Sequence, residues 1–210
     1  MAEPPAISRK GFTLIVGRYG ECKTRLALDT VARALRKGIS SLVFNAYDGS
    51  DDVCRILREL HGDVDVSKLG VFKSWRKAFV PPPLEIIREF FNDHDTGLVV
   101  IDDLDIWYGE QHRSTKPFRE LVEYAATKPR LAIVATTYFN QRRRKRGASK
   151  LSHIETHPRN VGLAHTVLVL EKPRNDGVVY PLRSFDFNAQ RVPFTFVEPG
   201  RFVWREGAAA

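Results

Sequence analysis

The sequence predicts an α/β fold: a mostly parallel sheet covered by helices on both faces, extended at its C-terminal end by short antiparallel strands. Three observations carry this. Apolar runs of strand length alternate with stretches of helical period from Phe12 to Leu170. The first run, Phe12-Thr13-Leu14-Ile15-Val16, leads directly into Gly17-Arg18-Tyr19-Gly20-Glu21-Cys22-Lys23-Thr24 and then into a helix. That is the strand–loop–helix order of a phosphate-binding loop. Beyond Leu170 the pattern changes to short strands with polar gaps: Gly177-Val178-Val179-Tyr180, Phe194-Thr195-Phe196 and Phe202-Val203-Trp204.

Each element follows from its local pattern. Lys23 to Lys37 carries apolar residues at helical spacing, Leu26, Ala27, Val31 and Leu35, and Gly38 is its expected terminator. Ser41-Leu42-Val43-Phe44 is a short strand. Asp51-Asp52 opens a helix running through Ile56, Leu57 and Leu60, where acidic residues suit the positive end of the helix dipole. Leu69-Gly70-Val71-Phe72 is a third strand. Pro81-Pro82-Pro83 breaks the chain before a helix from about Leu84 to Phe91. Leu98-Val99-Val100-Ile101 is a buried strand ending at Asp102-Asp103. Pro117 to Ala126 is a helix, Leu131 to Thr136 a strand, and Thr166 to Leu170 the next strand after a polar, basic loop. Such alternation calls for a parallel sheet with both faces covered. Residues 1–10 and 206–210 are expected to fray, leaving a single domain with no internal repeat and no dividing linker.

Composition narrows the class. At 210 residues, 43% hydrophobic and 28% charged, the chain is long enough and mixed enough for one globular core. No run is apolar for long enough to span a bilayer, and Met1-Ala2-Glu3-Pro4-Pro5 lacks a secretion signal. Two cysteines, Cys22 and Cys54, are too few to staple a secreted fold, so a cytoplasmic setting is expected. Cys54 reads as a small core residue. The six histidines and two cysteines fit no common zinc spacing. The net charge of +8 points to a polyanionic partner without identifying it.

The loop carries the chemistry. Successive backbone N–H groups of such a loop point inward at an anion. Gly17, Arg18, Tyr19, Gly20, Glu21, Cys22, Lys23 and Thr24 would cradle the phosphates, with Lys23 reaching the terminal ones and Thr24 holding a magnesium ion. The full pattern has glycine where Cys22 stands. A Cβ there raises two difficulties: crowding of the loop, and a backbone angle that suits glycine better. Asp102, at the end of an apolar strand, would reach the same crevice and complete the metal site, because parallel strands bring their C-terminal ends together. Asp103 could orient a water; alternatively both aspartates cap the following turn. Arg142-Arg143-Arg144-Lys145-Arg146 places five positive charges in a row. Either it is a solvated face, or it binds single-stranded nucleic acid through phosphates, with Tyr138 and Phe139 available to stack on bases.

From about Gly11 to Phe187 the chain resembles the RecA-like P-loop ATPases, especially the branch of DnaB and RepA replicative helicases, RadA recombinases and KaiC. Motif A corresponds to Gly17–Thr24 and motif B to Leu98–Asp102. The resemblance implies a RecA-like P-loop NTPase core, ATP and Mg2+ as cofactors, and assembly into a homo-oligomeric ring or filament. It also places the basic run in a loop facing single-stranded DNA. Leu42-Val43-Phe44-Asn45-Ala46-Tyr47-Asp48 resembles the strand that delivers the family's catalytic glutamate. Here Tyr47 holds that position, and a phenol does not take a proton from water near neutral pH. Asp48 or Asp103 would have to serve, or the base is missing. Tyr47 could instead line the pocket. Ala132 to Thr137 resembles the sensor strand, with Thr137 and Tyr138 in its polar places. Arg183, and less well Arg191, stand nearest the arginine finger offered to a neighbouring subunit.

Cys22, Tyr47 and Tyr138 are three departures at one site. Two readings follow: a DNA-associated ATPase of replication or recombination, or a catalytically weak module on the same fold. Compactness favours a small annealing or recombination ATPase, phage- or plasmid-encoded, over a processive motor.

Overall fold

A computed structural model of the chain describes residues 11–45, 49–73, 83–92, 96–108, 116–128, 130–139, 154, 158–171, 176–184, 191–197 and 201–205. Tyr47, Asp48, the basic run 142–146 and both expected frayed ends lie outside them.

The described strands join in one sheet of order β3-β2-β4-β5-β1-β6-β7-β8-β9. β1 (Gly11–Gly17), β2 (Ser40–Asn45), β3 (Leu69–Lys73), β4 (Thr96–Ile101), β5 (Arg130–Tyr138) and β6 (Thr166–Glu171) run parallel. β7 (Asp176–Ser184), β8 (Val192–Val197) and β9 (Arg201–Trp204) extend the sheet antiparallel. β1 is buried along its whole length between β5 and β6. This is why its sequence is a continuous apolar run rather than an alternating one.

The pleat sends alternate residues of β1 into two different cores. Phe12, Leu14 and Val16 face a layer with Ile87 of α3 (Pro83–Phe90) and Phe118 and Leu121 of α5 (Lys116–Thr127). Phe12 and Phe118 meet edge to face with centroids 4.9 Å apart. Ile15 faces the other layer, with Leu26 and Val31 of α1 (Lys23–Leu35) and Val53 and Leu57 of α2 (Ser50–His61). α1 stops where the sequence predicts: Gly38, at φ 72°, donates its N–H to Leu35 O at 2.8 Å. Two short helices escape the sequence pattern, α4 (Leu104–Tyr108) and α6 (Pro158–Leu163). Neither is long enough to show a period.

Register positions the site. Gly17 pairs with Tyr138, Ile15 with Thr136, Ile101 with Ala135, and Phe44 with Ile101. The C-terminal ends of β2, β4, β5 and β1 therefore lie side by side along one edge. The loop between β1 and α1 starts at this edge, and its end at Thr24 reaches Asp102 beyond β4. Candidate phosphate and metal residues from distant parts of the sequence converge there.

Candidate nucleotide site

Thr24 lies in the first turn of α1, and its Oγ1 donates to the Asp102 carboxylate, 2.9 Å from Oδ1 and 3.0 Å from Oδ2. Asp102 is held from several sides. Its N–H donates to Phe44 O at 2.8 Å, and its carbonyl accepts from Trp107 Nε1 at 3.2 Å. Its Oδ1 also accepts from Thr136 Oγ1 at 2.7 Å. Burial pushes the Asp102 carboxyl up to about 6; the bonds from Thr136 and Thr24 and the charge of Lys23 pull the other way, while Asp103 adds to the rise. Asp103 is buried at φ 59° and donates its N–H to Thr136 Oγ1 at 2.8 Å. Thr137 donates to Asp105 Oδ2 at 2.8 Å.

Lys23 is only 5% exposed. Its Nζ donates to Arg18 O at 2.7 Å and sits 3.9 Å from the centroid of the Tyr138 ring. Burial pulls the ammonium down to about 8, against the opposing charges of Asp102, Glu21, Asp103 and Cys22. Tyr138 is in turn stacked on Tyr19, with centroids 6.3 Å apart, and Tyr19 is 81% exposed. Glu21 is buried, and its Oε2 accepts the N–H of Arg18.

Cys22 adopts φ 60°, ψ 27°, the left-handed conformation, directly before α1. That is the geometry for which glycine is the usual residue. The backbone difficulty raised by the sequence is therefore real: the cysteine keeps the glycine's backbone. Its Sγ lies 3.9 Å from Gly20 O.

The structure thus brings the loop 17–24, Asp102 and Asp103 together. Arg183 lies elsewhere: it is on β7, two strands from β1, and its backbone pairs with Val167 of β6, away from the loop-bearing edge. Arg191 packs on Tyr180, 5.6 Å from the ring centroid. Phe139, named as a base-stacking candidate, is 2% exposed and belongs to the core. Cys54 is half-buried rather than fully enclosed. Trp107 packs edge-on against Phe44, as an anchor of the core. His61 lies 2.7 Å from Asp29 Oδ1, and His165 Nδ1 accepts the Phe12 N–H at 3.2 Å. Sequence reasoning passed over Thr136, the residue that ties Asp102 to β5. Its one signal is a hydroxyl near the end of an apolar strand.

Magnesium takes oxygen ligands and keeps several from waters and phosphates. The Thr24 hydroxyl and Asp102 carboxylate fit such a partial site. Among the described residues no group of three or more His, Cys, Asp or Glu side chains is arranged to hold a metal alone. No helix of the described residues is long and apolar enough to cross a membrane.

The sheet order, the loop at the end of β1 and the carboxylate at the end of β4 reproduce the fold of RecA-like P-loop ATPase cores. A solved ATPase domain shares this fold with a TM-score of 0.76 and 15% identity, over 94% of this chain and 86% of that one. A DnaB-like replicative helicase, described with its interactions with primase, matches with a TM-score of 0.72 and 14% identity. That match covers 94% of this chain and 59% of the helicase chain. These matches support the DnaB side of the resemblance, not RadA or KaiC specifically. At these identities the likeness is one of fold. No protein-family model matches the sequence, and no curated protein matches it in a sequence search.

Proposed function

We propose that the chain binds Mg–ATP on the loop 17–24 and works as a DNA-associated ATPase of the DnaB kind, in DNA replication or recombination. The observation that carries this reading is the contact between Thr24 and Asp102, with Asp102 close enough to act on the Lys23 ammonium. It joins a hydroxyl, a carboxylate and an ammonium at the mouth of a phosphate loop. ATP and magnesium would supply the transferable phosphoryl group and the charge that offsets it. Lys23 would neutralise the terminal phosphates. Thr24 and Asp102 would hold the metal, oriented by Thr136. Asp103 or Asp48 would orient the attacking water, and Arg183 would act on a neighbouring copy in a ring or filament. The run 142–146 would hold single-stranded DNA through its phosphates.

Calorimetric titration with Mg–ATP tests the reading. Binding is expected in the natural chain, weakened about tenfold or more by Lys23→Ala and by Thr24→Val. No binding at millimolar Mg–ATP would sink it. Turnover measured with and without single-stranded DNA then separates an active enzyme from the second reading, a weak or inactive module. That second reading is favoured by Lys23, buried with its ammonium against the Tyr138 ring. It expects slow turnover that Tyr47→Glu raises. Fast, DNA-stimulated turnover in the natural chain would refute it.

A further inference from the structure

One side chain of the loop 17–24 bends back onto the start of that loop. Glu21 bends back over Gly17: a Cβ placed on Gly17 would stand 3.0 Å from Glu21 Oε2 and 3.2 Å from Lys23 Cγ. The same carboxylate takes the N–H of Arg18, while Lys23 Nζ takes the carbonyl of Arg18. Both polar groups of that residue's backbone are engaged from within the loop. Carboxylate and lysine stem meet on the side where Gly17 offers no side chain. A carboxylate that only capped the turn would sit at the rim in water; Glu21 is 9% exposed.

We infer that Glu21 stands in the anion position of this loop and that a polyphosphate enters by displacing it. The inference deepens the nucleotide reading above and rests on it for the identity of the ligand as ATP. The physics is exclusion. A carboxylate and a phosphate are both anions that seek N–H donors and a nearby ammonium. Two anions drawn to the same donor and the same ammonium repel each other in a partly buried site, so joint occupancy is unfavourable. Tyr138 covers the ammonium, and Tyr19 covers Tyr138, so the closed arrangement also keeps solvent from Lys23. Glu21 therefore sets how tightly the site holds its ligand, a role the bare glycine-lysine-threonine pattern does not contain.

The test compares the natural chain, Glu21→Gln and Glu21→Ala by calorimetry, each titrated with Mg–ATP and separately with inorganic tripolyphosphate. Glu21→Gln keeps the size and an acceptor for Arg18 but removes the charge. It is expected to bind tripolyphosphate about tenfold tighter or more, and Glu21→Ala should do likewise. Unchanged or weaker tripolyphosphate binding in both variants overturns the inference. A gain for tripolyphosphate with no Mg–ATP binding in any chain upholds Glu21's role and defeats the ATP reading. Mg–ATP binding that neither variant alters does the reverse. A complete absence of binding defeats both.

Discussion

Replacing Cys22 with glycine should stabilise the protein, and the size of the gain follows from one backbone angle. Cys22 sits at φ 60°, ψ 27°. A residue with a Cβ gives up about 1–2 kcal/mol there. Glycine relieves that cost but brings extra freedom to the unfolded chain, worth about 0.5–1 kcal/mol in the other direction. The net gain is about 0.5–1 kcal/mol, or roughly 1–4 °C in Tm for a chain of this size. Urea unfolding with linear extrapolation measures it. Cys22→Ala is the control: it keeps the Cβ, so it keeps the strain and should gain nothing. Equal gains in the two variants would place the cost in the thiol rather than in the backbone. A loss of stability in Cys22→Gly would refute the strain argument outright. Because cysteine already holds the glycine backbone, Mg–ATP affinity should change only a few-fold. A much larger gain in affinity would mean that the Cβ crowds the ligand.

Three further outcomes are expected. The Asp102 carboxyl is raised from 3.8 to about 6 by burial, so the native state keeps a proton that the unfolded chain releases. Stability should therefore fall as pH rises through that window, by about 3 kcal/mol, and stay lowered at neutrality. Asp102→Asn should flatten this dependence in metal-free urea melts at pH 4 and pH 7, and an unchanged dependence would assign it to other groups. Gly97→Ala would put a Cβ 2.1 Å from Phe91 Cε1. Overpacking of that kind should cost about 1–3 kcal/mol, and a neutral thermal melt would show that Phe91 moves freely aside. Neutralising Arg142–Arg146 should reduce the slope of log affinity against log salt for single-stranded DNA by about 3 to 4. An unaltered slope in a folded variant would rule the run out as the contact.

How much of this was legible in the sequence depends on what each residue does. The inner parallel strands were legible because both their faces are buried, so Leu98–Ile101 and Leu131–Thr136 stand out as unbroken apolar runs. α1 was legible from Leu26, Val31 and Leu35 at helical spacing and from Gly38 as its stop. The convergence of Thr24 with Asp102 followed from two strand ends sharing one edge. The misses have a different origin. Thr136 matters through cross-strand register, which no local pattern records. Phe139 and Tyr138 are neighbours of similar chemistry, yet one is core and the other faces Lys23. Glu21 stands in the sequence as one of the eight loop residues expected to cradle phosphates, and only the fold of the loop turns its carboxylate onto the Arg18 N–H.

These misses share a cause that bears on function. Periodicity reports which face of an element is buried, whereas a binding site is decided by where a few polar side chains bend. In this loop three of the groups that Mg–ATP would use already have partners. The Lys23 ammonium holds Arg18 O, the Arg18 N–H holds Glu21, and the Thr24 hydroxyl holds Asp102. A ligand must exchange those bonds for its own, so its affinity is a difference between two satisfied states. The motif alone predicts only the gain on one side of that difference. The side chain of Glu21 sets the other, which is why a single charge-removing substitution there can change affinity without touching a fixed position of the phosphate-loop pattern.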